Sequence, residues 1–210
     1  CTTDDPVDSL QYHSQLKNQS IGIKVLPTFR PDKAYAVEQA GYPEYLEKLG
    51  RAANTSIENY DDLEKALEKR IDYFHEHGCR LADHGLEQLY VFNEKVHDVR
   101  ALFLKLKEGN SLMAEEIHYF KMKVILFLCR KYHEKGWTQQ FHLGAIRNNN
   151  TRLLGKLGPD TGFDSIGDFS QARGLSSFLD NLDSTNELTQ TILYTKNPVD
   201  NELYATMADK

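Results

Sequence analysis

The chain has 210 residues, 27% of them charged, with a formal net charge of −6 at pH 7. That acidic balance offers no electrostatic footprint for a nucleic acid, and no apolar run approaches the ~20 residues of a membrane span. Cys1, Cys79 and Cys129 are far apart and form neither a disulfide nor a metal spacing pattern; with no signal-peptide pattern, they point to a reducing cytoplasm.

Taken in chain order, Cys1 to Pro6 reads as the tail of a strand, with Asp4 and Asp5 before Pro6 read as a turn and helix cap rather than an acid/base pair. Ile21 to Phe29 is a second β-rich run. Pro31 lacks an amide donor and restricts Arg30 to extended geometry, so the ladder stops there and Arg30 stands at the strand's exit. A helix is expected over Tyr42 to Ala53. Asp61 with Glu64 forms a capping-box pattern, Leu63, Leu67, Ile71 and Phe74 follow at helical spacing, and Gly78 closes that helix as its C′ residue. Gly78 to Gly85 is a third strand, ending in Asp83 and His84 with Gly85 releasing the turn. A helix over about Leu89 to Lys107 follows. A longer one, capped by Ser111, carries Ile117, Phe120, Val124, Phe127 and Leu128 and closes at Gly136. The stretch of about 86–135 is too long for one crossover and reads as a helical excursion.

Trp137 to His142 alternates as a fourth strand and delivers a histidine to its end. Gly144 then opens into Arg147 and three asparagines, which favour turns because their side chains compete for the backbone. A helix over Gln171 to Leu182 and a fifth strand over Thr189 to Thr195 complete the pattern. Strand and helix alternate, which argues for an α/β protein with parallel strands. Five strand ends followed by charged or turn-forming residues imply one catalytic face, as in an α/β barrel. A complete (β/α)₈ barrel takes ~250 residues and eight such ends. Residues 1–210 therefore read as one domain, a partial (β/α)₈ barrel interior to a longer protein.

Five strings carry a family likeness: CTTDDPVDSL (1–10), KVLPTFRPDK (24–33), GWTQQFHLGAIRNNN (136–150), LGPDTGFDSI (157–166) and TILYTKNPVDN (191–201). In that order, from first residue to last, the chain strongly resembles the uronate (glucuronate) isomerases of the amidohydrolase superfamily. The resemblance implies a (β/α)₈ barrel enzyme that interconverts D-glucuronate with D-fructuronate and D-galacturonate with D-tagaturonate. It also implies a single divalent metal, usually zinc, in the full-length enzyme. The small-molecule partner is a uronate, and the intact enzyme is compatible with a homo-oligomer.

Carried over by position, the resemblance places Arg30 and His142 at the substrate, with His142 also the catalytic candidate. A planar guanidinium can hold a uronate carboxylate bidentately, and an imidazole can bond a substrate hydroxyl or the open-chain carbonyl. Asp83, His84 and Arg147 are further barrel-mouth candidates; an Asp that merely orients its neighbour, and a loop held by its own hydrogen bonds, are the bland readings for them. The family's His-x-His metal pair and its metal-binding Asp fall outside the chain. His75 and His77 have the pair's spacing but lie at a helix end, so no metal site is expected within residues 1–210. By itself the chain is expected to be inactive. A metal-dependent hydrolase of the same superfamily, or a truncated remnant without chemistry, are the alternatives.

Overall fold

The computed structural model describes residues 1–17, 19 and 22–208. Five parallel strands form the main sheet: β1 (Thr2–Asp4), β2 (Pro27–Phe29), β3 (Leu81–Leu86), β4 (Thr138–Leu143) and β7 (Thr191–Thr195), side by side in that order. Helices fill the connections: α1 (Gln11–Lys17), α2 (Tyr42–Ala53), α3 (Tyr60–Glu76), α4 (Val99–Lys107), α5 (Ala114–Glu134) and α7 (Gln171–Asp183). Between β4 and α7 lie two short strands, β5 (Ala145–Ile146) and β6 (Ser165–Ile166), paired antiparallel around α6 (Thr151–Leu157); α8 (Asn201–Ala208) follows β7. Parallel strands in sequence order with intervening helices are the arrangement of part of an α/β barrel.

The register fixes which side chains share a face. Leu81 pairs with Thr138 through Leu86 with Leu143, and Gln139 pairs with Thr191 through Leu143 with Thr195. Since side chains alternate along a strand, Ala82, His84, Phe141 and Leu143 face one way, towards the helices, and all four are buried. Aromatic contacts bind the two layers. Phe29 meets Phe74 of α3 edge-on at 5.0 Å, and Phe141 meets Phe178 of α7 at 5.1 Å. Asp83, Gly85, Gln140 and His142 face the opposite way.

Two helix ends aim the central strands. Gly78 and Gly136 adopt left-handed φ of +93° and +63°, and the next amides, Cys79 and Trp137, donate back to the Phe74 and Tyr132 carbonyls. This glycine-terminated end is the one expected at both positions. It turns α3 into β3 and α5 into β4 within a few residues.

Several boundaries differ from expectation, each for a local reason. The Ile21–Phe29 strand contracts to Pro27–Phe29; Ile21 lies outside the described residues, and Ile23 is exposed, so no buried face supports a ladder there. The helix over Leu89–Lys107 begins only at Val99, where the Asp98 carboxylate accepts the Arg100 amide; Leu89 lies buried in the preceding loop. Asn59, not Asp61, caps α3 by accepting the Asp62 amide at 3.0 Å. Ser111 does not cap α5: the Glu116 carboxylate takes the Met113 amide instead. Gly85 does not release a turn, since β3 runs on to Leu86. The asparagine loop holds a helix, because the Asn150 side chain accepts the Leu153 amide.

Candidate active site

Arg30, one residue past β2, anchors the polar face. Its Nε donates to Asp32 Oδ2 and its Nη1 to Asp83 Oδ2, both at 2.9 Å. Pro31 between Arg30 and Asp32 holds the chain in a turn that brings the Asp32 carboxylate back beneath its neighbour. Burial works against the guanidinium's charge, but the Asp32 attraction and hydrogen bond, with Asp83 behind them, outweigh it and raise the Arg30 pKa. The cation is thereby held in one orientation as well as charged.

Asp83 links Arg30 to the next strand. It is 2% exposed, and both its oxygens are engaged. Oδ1 accepts from Gln140 Nε2 at 3.0 Å and lies 3.0 Å from His142 Nε2. The His142 ring stacks on Tyr194 of β7, 4.4 Å between centroids and 4° from parallel. Arg30, Asp83 and His142 are thus one connected constellation across three neighbouring strands. Sequence separations of 53 and 59 residues vanish because the three strands end at the same edge.

Gly85 explains how the Arg30 guanidinium fits. A Cβ there would stand 2.6 Å from Arg30 Nη2, 3.1 Å from Arg147 Nη2 and 3.2 Å from Asp32 Oδ2. Only glycine leaves that space to the two arginines. A cleft of about 900 Å³ opens at this point, lined by Arg30, Asp32, Tyr35, Gly85 and Arg147 among others. Arg147 reaches it from the loop after β5, half-exposed and 3.3 Å from Asp164 and 3.8 Å from Asp160. His142 and Tyr194 lie on the same sheet face beside the cleft, His142 joined to Arg30 through Asp83. A second cleft, about 640 Å³ and lined from α2 and the end of α4, contains none of these residues.

His84 is placed apart from Asp83, as adjacent residues in a strand must be. It is fully buried in the helical layer, stacked 4.7 Å from Phe141, with Nδ1 3.1 Å from the Tyr35 hydroxyl. Burial lowers its pKa to about 4, so the ring is neutral at physiological pH.

Sequence reasoning missed Asp32, Tyr35, Gln140 and Tyr194. Gln140 was accessible to it, two residues before His142 and hence on the same face. Asp32 and Tyr35 lie in a 3-10 turn whose partners are about fifty residues away, and no local signal marks them.

Among the described residues no group of three or more His, Cys, Asp or Glu side chains stands close enough to hold a metal ion. Both Asp83 oxygens already take N–H donors, so the residues present do not fit the metal that the family likeness implies. Among the described residues, too, no helix is long and apolar enough to cross a membrane.

Comparison with known proteins finds longer relatives of one family. The uronate isomerase of Bacteroides thetaiotaomicron is 52% identical over 208 residues, covering 99% of this chain and 44% of that protein. The uronate isomerase of Flavobacterium johnsoniae is 50% identical over 207 residues, with the same coverage. The crystal structure of uronate isomerase from Thermotoga maritima matches with a TM-score of 0.91 at 34% identity, over 99% of this chain and 46% of that one. The chain spans less than half the length of each. The model of the glucuronate isomerase family, UxaC, matches residues 1–210, and the chain belongs to that family.

Proposed function

We propose that the whole protein to which this chain belongs is an aldose–ketose isomerase of uronates, converting D-glucuronate to D-fructuronate and D-galacturonate to D-tagaturonate. The observation that carries this reading is the Arg30 guanidinium, clamped by Asp32 and Asp83 and turned across Gly85 into the cleft. A uronate differs from its parent aldose by a carboxylate, and a fixed guanidinium is the group that reads a carboxylate.

The reaction removes a proton from C2, passes through an enediolate and returns a proton at C1. It needs a base, a group that polarises the carbonyl and an anchor for the carboxylate. In this reading Arg30 is the anchor. His142 bonds a hydroxyl or carbonyl oxygen at the reacting end, and Asp83 sets the distance between the two by holding both. Arg147 lines the mouth, its charge offset by Asp164 and Asp160. The divalent metal, zinc in the family likeness, and the base belong to segments that the relatives possess and this chain does not span.

A charge-assisted bond to an ionised partner contributes about 1.5–3 kcal/mol, or roughly one to two orders of magnitude in affinity. Arg30→Met in the full-length protein is therefore expected to lower kcat/KM for glucuronate at least about tenfold. Arg30→Lys should recover part of that, keeping the charge without the planar fork. Steady-state kinetics on purified variants checks it, and a near-normal kcat/KM for Arg30→Met removes Arg30 as the anchor.

A further inference from the structure

Behind Arg30 runs a chain of polar side chains into the core. Asp32 bonds Arg30 through Oδ2 and accepts the Gly85 amide, 3.1 Å from Oδ1. Its Oδ1 also accepts the Tyr35 hydroxyl at 2.7 Å, and Tyr35 in turn lies 3.1 Å from His84 Nδ1. Tyr35 is 2% exposed and His84 fully buried. A phenol has one hydrogen. With that hydrogen given to Asp32, the Tyr35 oxygen can only accept from His84, which fixes His84 as the Nδ1–H tautomer. The other ring nitrogen, Nε2, is buried without a hydrogen-bond partner among the described residues, which costs free energy that an apolar ring at this position would not.

Packing alone gives no reason for a Tyr–His pair here. The ring surfaces against Phe141 and Tyr132 would be filled equally by phenylalanine. What the pair supplies is a fixed hydrogen bond to one oxygen of Asp32, leaving the other for Arg30 Nε. Without it the carboxylate is held only by the Gly85 amide besides Arg30, and the clamp on the guanidinium loosens.

We propose that Tyr35 and His84 are positioning residues: His84 fully buried and Tyr35 only 2% exposed at the cleft wall, they lock Asp32 and so set the orientation in which Arg30 meets the substrate's carboxylate. The proposal rests on the reading of Arg30 as the uronate anchor. It concerns binding of the anionic end, so loss of the pair raises KM and spares kcat.

The test is steady-state kinetics of the full-length protein with glucuronate, comparing four variants with the parent. Tyr35→Phe removes only the hydroxyl, and His84→Phe keeps the stacked ring but removes the Nδ1–H donor. His84→Asn does the reverse, placing an amide N–H near the Nδ1 position without the ring. Arg30→Met is the control for the anchor. Tyr35→Phe and His84→Phe are expected to raise KM by several-fold up to about tenfold, less than the one to two orders for a direct bond to an ionised partner because Asp32 keeps the Gly85 amide, with kcat little changed. His84→Asn should bring KM back towards the parent value. If Arg30→Met raises KM while Tyr35→Phe and His84→Phe leave it unchanged, the positioning role is overturned and the anchor stands. An intact KM in His84→Phe with a raised KM in His84→Asn assigns His84 to packing and overturns the proposal for it. If Arg30→Met itself leaves KM unchanged, the anchor falls and the positioning role falls with it.

Discussion

At the scale of single residues, the missing side chain of Gly85 is as informative as the charged ones around it. The Arg30 guanidinium is fixed at Nε and Nη1 by two carboxylates, so a methyl group 2.6 Å from Nη2 cannot be met by swinging the arginine aside without breaking a bond to Asp32 or Asp83. If the whole protein is the uronate isomerase proposed above, Gly85→Ala in it is expected to raise KM for glucuronate about tenfold, comparable to loss of one charge-assisted bond, with secondary structure unchanged by circular dichroism. A KM equal to the parent's would mean the guanidinium has room that the geometry denies it. His84 gives a second residue-scale expectation. Burial lowers its pKa from 6.5 to about 4. Above pH 6.5 the ring is neutral folded or unfolded; between pH 6.5 and 4 only the unfolded state takes up the proton. Stability is therefore lost as pH falls through that window, by roughly 3 kcal/mol from this group at most. Thermal melts of the full-length protein at pH 7 and pH 4.5 should show a smaller acid-induced drop in Tm for His84→Asn than for the parent. Equal drops would exclude His84 as the source.

At the scale of elements, Arg70 of α3 ties the helical layer to the strand loops. Its guanidinium donates to the carbonyls of Pro6 at 2.6 Å, Ala52 at 2.9 Å and Asp8 at 2.7 Å, and lies 4.1 Å from the Tyr73 ring centre. Arg70→Met keeps much of the stem but leaves three carbonyls without that donor, a loss of roughly 3 kcal/mol or more. A urea midpoint for the full-length variant close to the parent's would show that water replaces the arginine. Arg70 also shows what a sequence can say. Leu63, Leu67, Ile71 and Phe74 announce the buried stripe of α3, and all four are buried. A charged residue within that stripe signals a buried polar partner, but nothing local says that the partners are backbone atoms 62 and 64 residues earlier. The same division holds at the site. Period-two alternation in Trp137 to His142 and the stop at Pro31 were enough to place His142 and Arg30 at strand ends. The grouping of Asp83 with His84 ignored that same alternation, which sends neighbours to opposite faces. The two helix caps misread by two residues, at Asp61 and Ser111, have local causes: Asn59 takes the Asp62 amide, and Glu116 takes the Met113 amide with no side chain capping from Met113. The turn that carries Asp32 and Tyr35 has its meaning only through β3, and no window of sequence contains both.

At the scale of the molecule, the sheet ends in two strands that pair on one side only. β1 and β7 each have a single neighbour among the described residues, and Ile192 and Tyr194 on β7 are 39% and 42% exposed. A row of unpaired backbone groups next to exposed apolar side chains is a template for further pairing. In relatives more than twice as long, the remaining chain is available to continue the sheet past both edges, as closure of a barrel requires. The 210 residues expressed alone keep those edges open. They are expected to associate with one another in a concentration-dependent way, measured by light scattering on a sizing column, whereas the full-length protein shows no such drift. Ile192→Lys places a charge on the β7 edge without disturbing the helix-facing side of the strand, and should shift the isolated chain towards monomer. A parent chain that remains a folded monomer at every concentration tested would mean that its edges are already protected, and the open-barrel account of the sheet would have to be abandoned.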